Sequence, residues 1–150
     1  MKGKILYKDF LKSRTECPFC GDQQRKIAEN GSAYITYSLA PYHKHHLLVI
    51  PHKHTESLLK ITDEEMRDID KLQKLALNIL YKLGYDNASF LVREGNSRDR
   101  SISHIHFHVI PDINIGDVDH DGNKRTILTD EEIDGVMKDF KSALDQVTPS

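Results

Sequence analysis

His104-Ile105-His106-Phe107-His108-Val109-Ile110, closed by Pro111, is the most strongly patterned segment of the chain. Its histidines alternate with apolar residues at period two, the spacing of a half-buried β-strand. Ile105, Phe107 and Val109 are expected on a core, and His104, His106 and His108 on the opposite face. Folding gives no reason to place three imidazoles together, so the segment reads as a site. At about 3.3 Å per residue, neighbouring imidazoles stand roughly 6–7 Å apart and the outer pair roughly 13 Å. Nitrogens bound to one metal lie only about 2.0–2.1 Å from it. On an undistorted strand the three cannot share an ion. They divide into separate tasks: one on a metal or a neighbour, one attacking, one stabilising charge.

Outward from this segment, Glu94 to Ser103 forms a polar loop with Gly95, Asn96, Arg98, Arg100 and Ser101. Guanidinium, hydroxyl and backbone N–H groups beside three histidines suit phosphate contacts, although a plain solvated loop has the same composition. Ala88–Arg93 before it reads as a strand. Further upstream, Leu47-Leu48-Val49-Ile50 lies between Pro41 and Pro51 and reads as a buried strand. Histidines crowd its ends. His43, His45 and His52 read as solvated loop residues, whereas His46 enters the strand and His54 leaves it, within reach of the triad.

Cys17-Pro18-Phe19-Cys20-Gly21 places two thiols two residues apart, with a glycine able to take positive φ after them. This is half of a tetrahedral zinc site. A redox pair or two unrelated buried cysteines are the alternatives. The remaining ligands would have to be histidine or carboxylate, because the chain has only these two cysteines. Asn30-Gly31 between Arg25–Glu29 and Ser32–Leu39 predicts a hairpin with a two-residue turn. Thr62-Asp63-Glu64-Glu65 is a capping box that opens a helix over 61–83, with Met66, Ile69, Leu72, Ala76, Ile79, Leu80 and Leu83 on its packed stripe and Gly84 as its stop. Thr129-Asp130-Glu131-Glu132 opens a last helix in the same way. Asp117, Asp119 and Asp121 make a poor calcium loop, since Leu128 stands where a bidentate Glu is needed.

The 150 residues suit one domain over 1–150: a knuckle at 17–21, a core at about 22–111 and a C-terminal extension with a helix at about 130–145. A net charge of −2 gives no reason to expect nucleic acid or a membrane surface as partner. Apolar runs are too short to span a bilayer, and Met1-Lys2-Gly3-Lys4-Ile5 lacks the apolar core of a signal peptide. The expected compartment is cytoplasmic, where paired cysteines favour metal over disulfide.

The histidine segment resembles the histidine triad (HIT) motif, His-φ-His-φ-His-φ-φ, of nucleotide hydrolases and transferases. The likeness extends in register over roughly 17–111, through Pro41–His54 and Asn30-Gly31. It implies an α+β fold: an antiparallel five-stranded sheet with one long packed helix, here followed by a C-terminal helix. It implies a homodimer whose sheets join. It assigns His106 as nucleophile on the α-phosphorus, forming a nucleotidyl-histidine that water hydrolyses. His108 would contact a non-bridging oxygen, with His46 and Ser101 beside the same phosphate. Members with the Cys-x-x-Cys knuckle resemble galactose-1-phosphate uridylyltransferases in closing a structural zinc site with two histidines, here Cys17, Cys20, His54 and His104. Ser38 stands where many relatives use Asp or Asn for ribose hydroxyls. Arg93 replaces a common Asn, and Asp99-Arg100 a Gly-Gln. Arg100 in place of Gln favours an anionic leaving group, so dinucleoside polyphosphates rank slightly ahead of nucleoside phosphoramidates, and Arg98 is a further substrate-binding candidate. The alternatives are a non-catalytic purine-nucleotide-binding regulatory module and a dinucleoside polyphosphate phosphorylase.

Overall fold

The computed structural model describes residues 4–13, 16–21, 24–95, 102–113 and 125–147. Helix α1 (Tyr7–Ser13) precedes strands β1 (Lys26–Glu29), β2 (Ala33–Tyr37) and β3 (Leu47–Pro51). A short 3₁₀ turn at Leu58–Lys60 leads into α2 (Asp63–Lys82), then β4 (Ser89–Val92), β5 (Phe107–Ile110) and α3 (Asp130–Val147). The strands form one antiparallel sheet in the order β1-β2-β3-β5-β4, which is the expected α+β architecture.

Alternation along the strands gives the sheet two different faces. Ile35, Leu47, Val49, Phe107 and Val109 pack against Ile69, Leu72, Ala76, Ile79 and Leu80 of α2 and Val136, Met137 and Phe140 of α3. Each large aliphatic or aromatic side chain buried there contributes about 1.5–3 kcal/mol. Tyr34, Leu48 and Ile50 point the other way, where Phe19 of the cysteine knuckle and Ile102 cover them. Cross-strand pairing Thr36↔Leu48, Leu48↔His108 and His108↔Leu91 lays one continuous row over this second face. The first face is core, and the second carries His108.

Both capping boxes form. Thr62 Oγ1 accepts from the Glu65 N–H at 3.1 Å while Glu65 accepts from the Thr62 N–H at 3.0 Å. Thr129 and Glu132 repeat the exchange at 3.2 and 3.0 Å. Gly84 ends α2 at φ 103°. Met66 is exposed, so the packed stripe of α2 begins at Ile69.

Three local expectations fail. The strand begins at Phe107, because the Ile105 N–H donates to Thr55 O (2.7 Å) instead of to a neighbouring strand. His104 and His106 therefore lie before the strand. The Asn30-Gly31 turn is longer than two residues: Glu29 pairs with Tyr34, and neither Asn30 nor Gly31 has positive φ. Asn30 Oδ1 instead accepts from the N–H groups of Ser32 and Ala33, both at 3.1 Å, and closes the turn with its side chain. His45 is buried: its Nε2 lies 2.8 Å from Asp139 Oδ2 of α3, and its Nδ1 contacts the Tyr85 hydroxyl. It fastens the C-terminal helix to the loop before β3. Among the described residues, no helix is long and apolar enough to cross a membrane.

Candidate functional site

Two clusters of histidines lie on the second face of the sheet, and His104 and His106 belong to different ones. In the first, the ligand atoms of Cys17, Cys20, His54 and His104 lie within 4.8 Å of one another. His104 Nδ1 is 3.5 Å from both sulfurs, and His54 Nδ1 is 3.2 Å from Cys20 Sγ. Bond lengths of about 2.3 Å to sulfur and 2.0–2.1 Å to nitrogen put tetrahedral S and N ligands about 3.5–3.6 Å apart. The donor set and its spacing fit such an ion with little movement. The outer nitrogens are also committed: His104 Nε2 donates to Pro51 O at 2.9 Å, and His54 Nε2 lies 3.4 Å from Glu56 Oε2. These contacts keep the Nδ1 lone pairs directed at the sulfurs.

Charge agrees with that fit. Burial lowers His104 to about 4, so its imidazole is neutral, the form that ligates. Burial, then its hydrogen bond with Cys17, raises the Cys20 thiol to about 11. A cation between the sulfurs would favour the thiolate. The φ of 69° at Gly21 closes the knuckle, and the Tyr34 hydroxyl donates to Phe19 O at 2.6 Å, tying it to the sheet.

The second cluster lines a cleft of about 430 Å³, mouth included. His106 Nδ1 donates to the His104 carbonyl at 2.9 Å. In the neutral ring this fixes the tautomer and leaves the lone pair on Nε2. The Tyr42 backbone N–H donates to His46 Nδ1 at 3.2 Å, so the His46 proton sits on Nε2. From there it is donated to His108 Nδ1 at 2.8 Å, which leaves the His108 proton on Nε2. One backbone amide thus orders the protons of two buried rings. Both are held neutral. Burial pushes His46 and His108 far below the ordinary histidine range, and Arg125, Arg93 and His106 push them further. A lone-pair nitrogen on one ring beside an N–H on its neighbour pairs a nucleophile with an anion donor.

Ser38 and Arg93 line the same cleft as His106 and His108, and His46 adjoins it through His108. Ser101, Arg98 and Arg100 lie outside the described residues. The sequence reading missed Arg125, whose guanidinium stacks 4.0 Å from the Tyr42 ring centre and 4.8 Å from that of Tyr7, and whose Nη1 donates to Ala40 O at 2.9 Å. It also missed the walls that Tyr7, Phe10 and Phe19 build. Tyr7, Phe10 and Leu11 stand at helical spacing, a usable signal. A lone arginine far along the chain gives none. Phe19 joins the two clusters, since its ring lies edge-on to His106 at 4.9 Å and to His104 at 6.1 Å.

Comparison with known proteins agrees with this layout. An uncharacterized HIT-like protein of Methanocaldococcus jannaschii is 28% identical over 131 residues, 83% of this chain and 98% of that protein. Adenosine 5'-monophosphoramidase of Schizosaccharomyces pombe is 33% identical over 86 residues, 57% of this chain and 62% of that protein. A zinc-bound histidine triad family protein from Mycobacterium smegmatis shares the fold with a TM-score of 0.64 at 19% identity, over 95% of this chain and 94% of that one. The HIT domain model matches residues 22–114, which hold the whole sheet and every histidine of both clusters, and the chain therefore belongs to the HIT family.

Proposed function

We propose that this chain is a nucleotide hydrolase or nucleotidyl transferase that works through His106. The reading rests on one observation above all: the His106 Nδ1–H is engaged by the His104 carbonyl at 2.9 Å, so the neutral ring offers Nε2 as its nucleophile. Nε2 attacks the α-phosphorus. The bond from phosphorus to the leaving group breaks, and the leaving group departs with the electron pair and collects a proton. The resulting P–N bond is labile, and water cleaves it to release the mononucleotide and restore the imidazole. His108 would donate its Nε2 proton to a non-bridging oxygen, where negative charge is concentrated. His46 keeps His108 in that tautomer. Arg93 and Arg125 add positive charge to the cleft and suit a polyphosphate leaving group. Ser101, Arg98 and Arg100 remain candidates for the same phosphates, and Ser38 for the sugar.

Cys17, Cys20, His54 and His104 would hold a structural zinc ion. A closed four-ligand site leaves no open position for substrate, so the metal supplies rigidity to the knuckle that carries Phe19. A homodimer and a cytoplasmic location complete the proposal.

The test is His106→Ala. Turnover of a diadenosine polyphosphate or an adenosine phosphoramidate should disappear, while AMP affinity stays within about tenfold, a change worth 1.4 kcal/mol. Undiminished turnover would refute the nucleophile. A wild-type protein that binds AMP but turns over neither substrate would instead be a nucleotide-binding module.

A further inference from the structure

Gln24 is more than nine-tenths buried and lines the cleft, yet its Oε1 has no hydrogen-bond partner. Among the described residues it is the one buried side-chain N or O atom left in that condition. Natural proteins rarely leave a buried acceptor unpaired without a use for it.

The orientation of the amide is fixed independently. Gln24 Nε2 lies 3.2 Å from Thr36 Oγ1 and 3.1 Å from the Tyr37 carbonyl oxygen. The carbonyl can only accept. The Thr36 hydroxyl spends its hydrogen on the Arg25 carbonyl at 2.7 Å, so toward Gln24 it too is an acceptor. Turning the amide over would set oxygen against two acceptors. Both Nε2 hydrogens are therefore committed, and Gln24 has only an acceptor left to offer. Thr36 belongs to the row that also holds Leu48 and His108, which ties this acceptor to the same sheet surface as the phosphate-facing rings. Ser38, buried in the same cleft two residues beyond Thr36, adds a hydroxyl.

We infer that Gln24 is a specificity-determining residue: its Oε1 receives an O–H or N–H donor of the bound nucleotide, from the sugar hydroxyls or from the base's amino group. This deepens the proposed function and rests on it. It gives the chain a neutral acceptor in a cleft where Ser38 offers a hydroxyl. A group without a donor hydrogen at that point would meet an acceptor it cannot satisfy.

The experiment titrates the full-length, metal-loaded protein with AMP, 2'-deoxy-AMP, 3'-deoxy-AMP and purine riboside 5'-monophosphate, and repeats the series on Gln24→Met. One of the three deletions should weaken wild-type binding by about fivefold or more, and should weaken binding to Gln24→Met by less than about twofold. The deletion that does so identifies sugar or base as the source of the donor. Equal losses in both proteins, or no loss in the wild type, would overturn the inference. A crystal structure of the wild-type AMP complex decides the matter even if Gln24→Met does not fold. A ligand O–H or N–H within about 3.2 Å of Oε1 supports the inference, and a ligand that leaves Oε1 without a donor rejects it. If wild-type protein binds none of the four nucleotides, the proposed function falls and takes this inference with it. If it binds AMP and the deletions have no effect, only the inference falls.

Discussion

His104 and His106 are two residues apart and use opposite nitrogens. His104 gives its Nε2 hydrogen to Pro51 O and turns its Nδ1 lone pair to the cysteine sulfurs. His106 gives its Nδ1 hydrogen to the His104 carbonyl and keeps its lone pair on Nε2. Sequence alternation makes the two look equivalent, but their hydrogen-bond partners do not. A ring whose Nδ1 faces two thiols is suited to a cation, and a ring that lines a cleft with two arginines and holds its lone pair on Nε2 is suited to a phosphorus atom. The carbonyl that orients the second ring belongs to the first residue, so the candidate metal site and the proposed phosphate cleft share one stretch of backbone.

Substitution on the metal side should give the largest effect on the fold. Cys20→Ser is expected to lower zinc from one per chain to near zero by elemental analysis. It should reduce stability by about 3–5 kcal/mol in denaturant titration, the range for loss of a structural metal or buried network. Turnover should fall with it, because Phe19 packs against His106. Full zinc occupancy in Cys20→Ser, or unchanged turnover in a zinc-free protein, would break the link between the two clusters.

On the phosphate side, His46→Phe removes the donor that sets the His108 tautomer. Its kcat should drop about 10–100-fold, the usual cost of losing an orienting partner, while zinc content stays at the wild-type value. Loss of zinc in this variant would show that the clusters are one unit.

The smallest effect is in pH. His46 and His108 are held neutral, their folded pKa values well below the 6.5 of a free imidazole. The unfolded chain takes up protons near pH 6.5 and the native one does not, so their stabilisation is complete above that pH and declines as pH falls below it. Each ring should contribute a slope of up to about 1.4 kcal/mol per pH unit. Urea midpoints measured from pH 7.5 to 5 should therefore fall less steeply in His46→Phe than in wild type. Parallel curves would mean that His46 is protonated in the native state.

Much of this was legible because it is periodic or local. The stripe from Ile69 to Leu80, the capping boxes at Thr62 and Thr129 and the Cys-x-x-Cys knuckle are each written within a few residues. The four metal-type ligands follow from the resemblance, and the structure brings them together. The start of β5 was not legible, since only the Thr55 carbonyl shows that the backbone at Ile105 is engaged elsewhere. Arg125 and Gln24 were hidden for a similar reason: their roles depend on partners on other elements, Tyr42 and Ala40 for one, Thr36 and Tyr37 for the other. His45 passed for a loop residue because Tyr85 and Asp139, which bury it, lie far along the chain.

The central claim is that His106, and not its neighbours, bonds to phosphorus. Denaturant quenching at alkaline pH during turnover of a diadenosine polyphosphate, followed by intact mass and peptide mapping without acid exposure, tests it directly. The expected result is one added nucleotidyl group, base-stable and acid-labile, on the peptide carrying His106 and absent from His106→Ala. Nucleotidyl mass on another residue, or steady turnover with no adduct and full activity in His106→Ala, would contradict it.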